Sequence, residues 1–216
     1  MKKVLFFVLL FLAINIESYS QLYYQYIDTN YLSLEAEAVA ELEVGTKEVG
    51  NNRGNKVDLY NKTAGAALGS PYCASGVYYC FNTAAKTLYC KNFLKKTPSA
   101  NGQFDYMAKI SKRLPNNSAN YITPGSLVVW KYSNSYSGHI EIVKSILNAN
   151  TGHIETIGFN TSSGTSGSQR DGGGVYIRQR NIKSRLGQML CRGLIVFGYV
   201  ENNVKWKNSN CVYKMR

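Results

Sequence analysis

Pro71-Tyr72-Cys73-Ala74-Ser75-Gly76-Val77-Tyr78-Tyr79-Cys80-Phe81 is the stretch on which the fold turns. The approach to it, Gly65-Ala66-Ala67-Leu68-Gly69-Ser70-Pro71, breaks regular structure and delivers Cys73. From there Cys73, Val77, Cys80 and Phe81 recur at i, i+4, i+7 and i+8, one face of a helix that packs on a core and ends near Asn82. Cys73 then occupies the first turn, where free amides and the positive end of the helix dipole favour a thiolate. Two roles fit it: a nucleophilic sulfur, or a structural one, either half of a disulfide or a small buried hydrophobe.

Upstream, Leu32 to Val49 reads as one helix, or one broken at its weak point near Gly45-Thr46, and Val57 to Ala64 as a short helix with Leu59 and Tyr60 inward. Pro98-Ser99-Ala100-Asn101 is a helix start, with Phe104 to Arg113 carrying the helix on Phe104, Met107 and Ile110. After Leu114-Pro115 the character changes. Ser126 to Tyr132, His139 to Leu147, His153 to Asn160, Gly174 to Gln179 and Gly193 to Val200 are β-like, joined by hairpin-length connections. Helices followed by consecutive strands predict an α+β fold, with N-terminal helices on a C-terminal antiparallel sheet of about five strands. On the His139 strand, Ile140, Ile142 and Ile146 are expected to face the core, and His139, Glu141, Val143 and Ser145 the other side.

The first residues stand apart. Met1-Lys2-Lys3, the apolar Val4 to Ile16 and the small residues Ser18 and Ser20 form a secretory signal peptide, residues 1–20, cleaved after Ser20. Residues 21–216 are read as a single domain, secreted or periplasmic, with no further stretch long and apolar enough to cross a membrane. The full chain of 216 residues carries a net charge of +12. Without Lys2, Lys3 and Glu17 it has 23 basic and 12 acidic side chains, about +11. That charge suits an anionic wall, polysaccharide or lipid surface, and no nucleic-acid recognition motif accompanies it. Scattered basic residues, Arg178 and Arg180 among them, also fit a plain solvated surface.

Five cysteines are present: Cys73, Cys80, Cys90, Cys191 and Cys211. An odd count in an oxidising compartment leaves one thiol over, and the short-loop pairings Cys80–Cys90 and Cys191–Cys211 leave Cys73. No CxxC pair and no His/Cys zinc spacing occurs, so neither metal nor cofactor is expected.

A nucleophilic cysteine needs a base, and the chain has two histidines. His139 opens a strand where it emerges from a loop. His153 sits beside the hairpin turn Asn148 to Gly152, where an exposed polar residue is ordinary. A third group normally orients the imidazole. Glu155 and Asn160 are both available on the following strand, and their odd spacing puts them on opposite faces.

The ordered set Pro71-Tyr72-Cys73-Ala74-x-x-Val77, Thr123-Pro124-Gly125-Ser126-Leu127-Val128-Val129-Trp130 and Gly138-His139-Ile140-x-Ile142-Val143 resembles the CHAP family. These are cysteine/histidine-dependent amidohydrolases and peptidases, related to papain-like cell-wall cysteine peptidases. Asp171 to Tyr176, Leu194 to Phe197, Glu48 to Gly54 and Val57 to Tyr60 extend the likeness over roughly Leu32 to Val200. The resemblance implies Cys73 as nucleophile, His139 as base, Asn160 as orienting amide, and peptidoglycan as substrate; a monomer is expected. It departs at Gly158-Phe159-Asn160, where members often carry Glu-x-Asn. It departs again at Glu141, which stands where a small residue is usual and either tunes the imidazole or faces solvent. Tyr72 replaces a common Trp. The missing Glu leaves a rival reading, a degenerate wall-binding protein on the same fold, and a papain-like activity on another substrate would use the same residues.

Overall fold

The cysteine helix is longer than its first apolar face suggested, because the stripe continues. Cys73, Val77, Cys80, Phe81, Ala84 and Ala85 are all buried on one side, and the helix runs from Cys73 to Thr87. The computed structural model describes residues 29–107, 112–114, 122–164 and 172–197. Among these, four helices precede the sheet: α1 (Thr29–Glu43), α2 (Asn55–Ala64), α3 (Cys73–Thr87) and α4 (Ala100–Met107). Six strands follow: β1 (Lys112–Leu114), β2 (Leu127–Lys131), β3 (Gly138–Asn148), β4 (His153–Thr161), β5 (Gly174–Asn181) and β6 (Leu190–Val196). They form one antiparallel sheet in the order β1-β6-β2-β3-β4-β5. The arrangement is α+β, helices first, as the sequence predicts. The signal peptide expected at residues 1–20 and Cys211 lie outside the described residues.

Local chemistry sets the helix ends. Ser99 starts α4 by accepting the Gly102 amide on its hydroxyl at 3.0 Å, a side-chain N-cap. Gly65 closes α2 in the left-handed conformation at φ 75°. The α1 helix stops at Glu43 rather than Val49. Beyond it the chain pairs along β5: the Gly45 amide donates to the Val175 carbonyl and the Glu48 amide to that of Gly173. That strip covers an open sheet edge, and the edge's hydrogen bonds outweigh two more turns of helix. In α2, Tyr60 is fully buried but Leu59 is exposed, against the expectation that both face inward. The segment read as helix to Arg113 is helical to Met107, while Lys112–Leu114 pairs with β6 at Leu114↔Leu194.

The sheet has a core on each face. The inner core holds Leu127, Val129, Ile140, Ile142, Ile157, Phe159 and Ile195 against the helices. The outer core gathers Val128, Trp130, Val143, Ile154 and Leu194 beneath Ile182, Leu186 and Met189. Ile146 packs with this outer set rather than with Ile140 and Ile142. The β3–β4 register shifts between Val143 and Ser145, so one extra residue inverts the alternation.

Helix and sheet approach closely at Gly76. A Cβ built there would lie 2.1 Å from the Phe159 ring. The same ring meets Tyr60 edge-on with centroids 5.3 Å apart, and Tyr60 contacts Tyr72 and Tyr79. Alanine at 76 gains about 1 kcal/mol of helix propensity. It overpacks a site with no room, which costs roughly 1–3 kcal/mol and more where backbone must move. Gly76→Ala is therefore expected to lower the urea midpoint; an unchanged or raised midpoint would contradict this contact.

Candidate active site

No side chain caps α3, so its first amides are open towards the sulfur. Cys73 is the first residue of the helix and only 5% exposed. Its sulfur lies within electrostatic reach of the Ala74 and Ile140 backbone N–H groups and of His139 at the start of β3. The structure thus joins the two residues that sequence reasoning paired as nucleophile and base.

His139 is fully buried, with its ring beside Trp130, its cross-strand partner. Its Nε2 donates to Glu141 Oε1 at 3.0 Å. Nδ1 carries no oxygen or nitrogen partner and is the nitrogen left for the thiol. Glu141 is also fully buried, which removes the solvent-facing reading. Thr156 Oγ1 donates to its Oε2 at 2.6 Å. Arg180 grips both oxygens, Nε to Oε2 at 2.9 Å and Nη2 to Oε1 at 2.5 Å. Four donors therefore meet one carboxylate, two on each oxygen.

These contacts set the charges. Burial opposes a thiolate at Cys73, but the His139 hydrogen bond and charge outweigh it, with help from the Ala74 and Ile140 amides, and the pKa is lowered. Burial likewise opposes charge on His139, and the bonds to Cys73 and Glu141 overcome it, pushing the imidazole up to about 9. Burial works against ionised Glu141 too; Arg180 and then His139 hold its carboxyl well below the usual carboxylate range. The arrangement favours a thiolate–imidazolium pair at neutral pH.

The other candidates separate. Asn160 is buried at the end of β4, with φ 58° at a register shift between Phe159 and Thr161. Asparagine is among the residues that tolerate this left-handed conformation, and such a bulge re-aims a side chain beside a site. Glu155 is half-buried and faces Lys144 at 3.5 Å, apart from His139. His153 is exposed in its turn, bonded to Thr151 and Asn181. Sequence reasoning missed Arg180, placing it among solvated surface charges; it is 7% exposed. The available signal was the lone acid among isoleucines, Glu141, which calls for a cation once its face is dry, without naming which one.

Cys73, Cys80 and Cys191 are free thiols. The expected Cys80–Cys90 bridge is not formed, because α3 continues two turns, about 10 Å, beyond Cys80. The Cys191–Cys211 pairing involves a residue outside the described ones. Among the described residues no group of three or more His, Cys, Asp or Glu side chains is placed to hold a metal ion, and no helix is long and apolar enough to cross a membrane.

The thiols differ enough to be told apart chemically. Burial raises Cys80 well above an ordinary thiol and pushes Cys191 up to about 12. Brief iodoacetamide treatment at pH 7 with peptide mapping is expected to label Cys73 ahead of both. Equal labelling of the three would remove the case for an activated sulfur.

Residues 63–160 match the family model of the CHAP domain, a span that runs from α2 through Cys73 and His139 to Asn160. No curated protein and no solved structure gives a match. The buried thiol–imidazole pair, the α+β sheet behind it and this match converge on residues 63–160 as a CHAP-type domain.

Proposed function

We propose that the chain is a secreted cysteine hydrolase that cleaves amide bonds of peptidoglycan. The observation that carries this is the Cys73–His139 pair at the uncapped N-terminus of α3, with the thiol lowered and the imidazole raised. The bond cut is the muramoyl–L-alanine amide or a peptide bond of the stem or cross-link. The net charge of +12 suits an anionic wall, and the apolar leader at residues 4–16 suits export.

In this reading Cys73 Sγ attacks the amide carbonyl carbon, and the carbonyl electron pair moves onto oxygen. The N-terminus of α3, with the Cys73 amide foremost, stabilises that oxyanion. His139 gives its proton to the departing nitrogen as the C–N bond breaks and a thioester forms. Neutral His139 then takes a proton from water, which opens the thioester and restores the thiolate–imidazolium pair. Asn160, buried at the end of β4, contributes a polar amide at the site's margin.

The test is mass spectrometry of purified sacculi incubated with the chain from Gln21 onward and with Cys73→Ala. Wild type is expected to release fragments whose new termini name the bond. Cys73→Ala is expected to lose on the order of 10³-fold or more in rate. Equal release by the variant would sink the proposal.

The pH dependence carries a sign. The acid step needs protonated His139, so the rate is expected to fall as pH rises through about 9. A rate already falling from pH 6.5, where an ordinary histidine loses its proton, would contradict the assignment.

A further inference from the structure

Beyond the thiol and its base, the site holds a buried acid and a buried base that the hydrolytic steps do not consume. Glu141 stands two residues after His139 on β3, and Gly158 is its direct partner on β4. A Cβ at 158 would lie 2.6 Å from Glu141 Oε1 and 3.0 Å from Thr161 Cγ2. The carboxylate therefore occupies the space that any side chain at 158 would take. Arg180 reaches it from β5, two strands away, by a two-pronged grip of 2.5 and 2.9 Å. Its Nη2 also donates to Thr161 Oγ1 at 3.3 Å.

We propose that Glu141, clamped by Arg180 in the space Gly158 leaves open, is the positioning carboxylate of His139. It fixes the ring with Nε2 protonated and Nδ1 turned to Cys73, and its charge sustains the imidazolium. The inference rests on the Cys73–His139 reading and adds the group that holds the base.

A purely structural role explains the cluster poorly. Desolvating a carboxylate and a guanidinium is costly, and a well-packed apolar pair fills such a site as well or better. The fold gains little from an ion pair here; His139 gains a partner for the nitrogen that does not face the thiol. Ionised Glu141 accepts from both His139 and Arg180, and a neutral amide in its place has a weaker pull on the proton. The charged groups concerned are few. Cys73 faces His139 from α3, Glu141 from its own strand; Arg180 and Arg178 face Glu141 from β5. Arg178 is committed chiefly to the Ser163 and Gly164 carbonyls.

The test reads the pair without substrate: the rate of Cys73 alkylation by iodoacetamide against pH, in full-length mature protein. In wild type the acidic limb is expected below that of an ordinary thiol. In Glu141→Gln, similar in shape but neutral, the limb is expected to move up by about one pH unit, an approximately tenfold lower rate at pH 6. Gly158→Ala changes no charge but drives a methyl into the carboxylate, and is expected to shift the limb the same way. Histidine NMR of the wild type supplies a readout that needs no variant: His139 is expected to keep an exchange-protected Nε2 proton and to titrate near 9.

The outcomes separate the two readings. An ordinary thiol limb in wild type overturns the hydrolase proposal and this one with it. A depressed limb left unmoved by folded Glu141→Gln and by Gly158→Ala overturns only the role of Glu141. If both variants fail to fold, an unprotected His139 titrating at the usual 6.5 in wild type overturns it as well.

Discussion

The seat of α3 on the inner face of the sheet, where Gly76 meets the Phe159 ring, sets the distance between the two halves of the site. Cys73 lies one turn before that contact on the helix, and Asn160 directly follows Phe159 on β4. A side chain at 76 would lift the helix and carry the sulfur away from β3. Tyr60 secures the other side of the contact. Its ring edge meets Phe159, and its hydroxyl donates to Glu43 at 2.5 Å, tying α2 to the end of α1. Burying Tyr60 without that partner would leave a hydroxyl unsatisfied. The helical half thus fixes where the thiol stands before any chemistry is considered.

Electrostatics arranges what packing brings together. Read from the helix outward, Cys73, His139, Glu141 and Arg180 form a row of alternating sign when the thiol is ionised, with no net charge. All four are nine-tenths buried or more. Each charge there would be strongly disfavoured alone and is stabilised by its neighbour. The row explains why Cys80, in the same helix and as deeply buried, is pushed the other way: after burial, the largest influence on it is the carboxylate of Glu43, which raises it. One helix carries two buried thiols, and their neighbours alone decide which ionises.

Much of the fold was legible because its determinants are local. The cysteine face of α3, the cap before α4, and the five longer strands each follow from spacing or from one turn residue. The misreadings share a cause, dependence on a distant partner. α1 ends early because β5 takes the next residues' hydrogen bonds, and β1 exists because β6 is there to pair with it. Ile146 changes sides at a bulge that no composition marks. In the site, Cys73 and His139 were legible as types at motif positions. Glu141 was visible on the face of His139, but whether that face was wet or dry was not, since the outer core of Ile182, Leu186 and Met189 comes from a later segment. Arg180 was out of reach for the same reason, its partner lying 39 residues away.

Placing the carboxylate on the histidine's own strand has a geometric consequence. Residues i and i+2 share a face and stand about 6.7 Å apart along a strand, whatever that strand's neighbours do. The His139–Glu141 relation is therefore set within β3. A carboxylate projected from β4 would depend on the register between the two strands, and β4 carries a shift between Phe159 and Thr161 on its β5 side, with two more in its pairing with β3. Moving the acid to β3 frees the imidazole from that register and leaves β4 to contribute an absence, the glycine at 158. The remaining long-range demand falls on Arg180, whose long side chain and forked head tolerate small displacements of β5 better than a short carboxylate would tolerate those of β4.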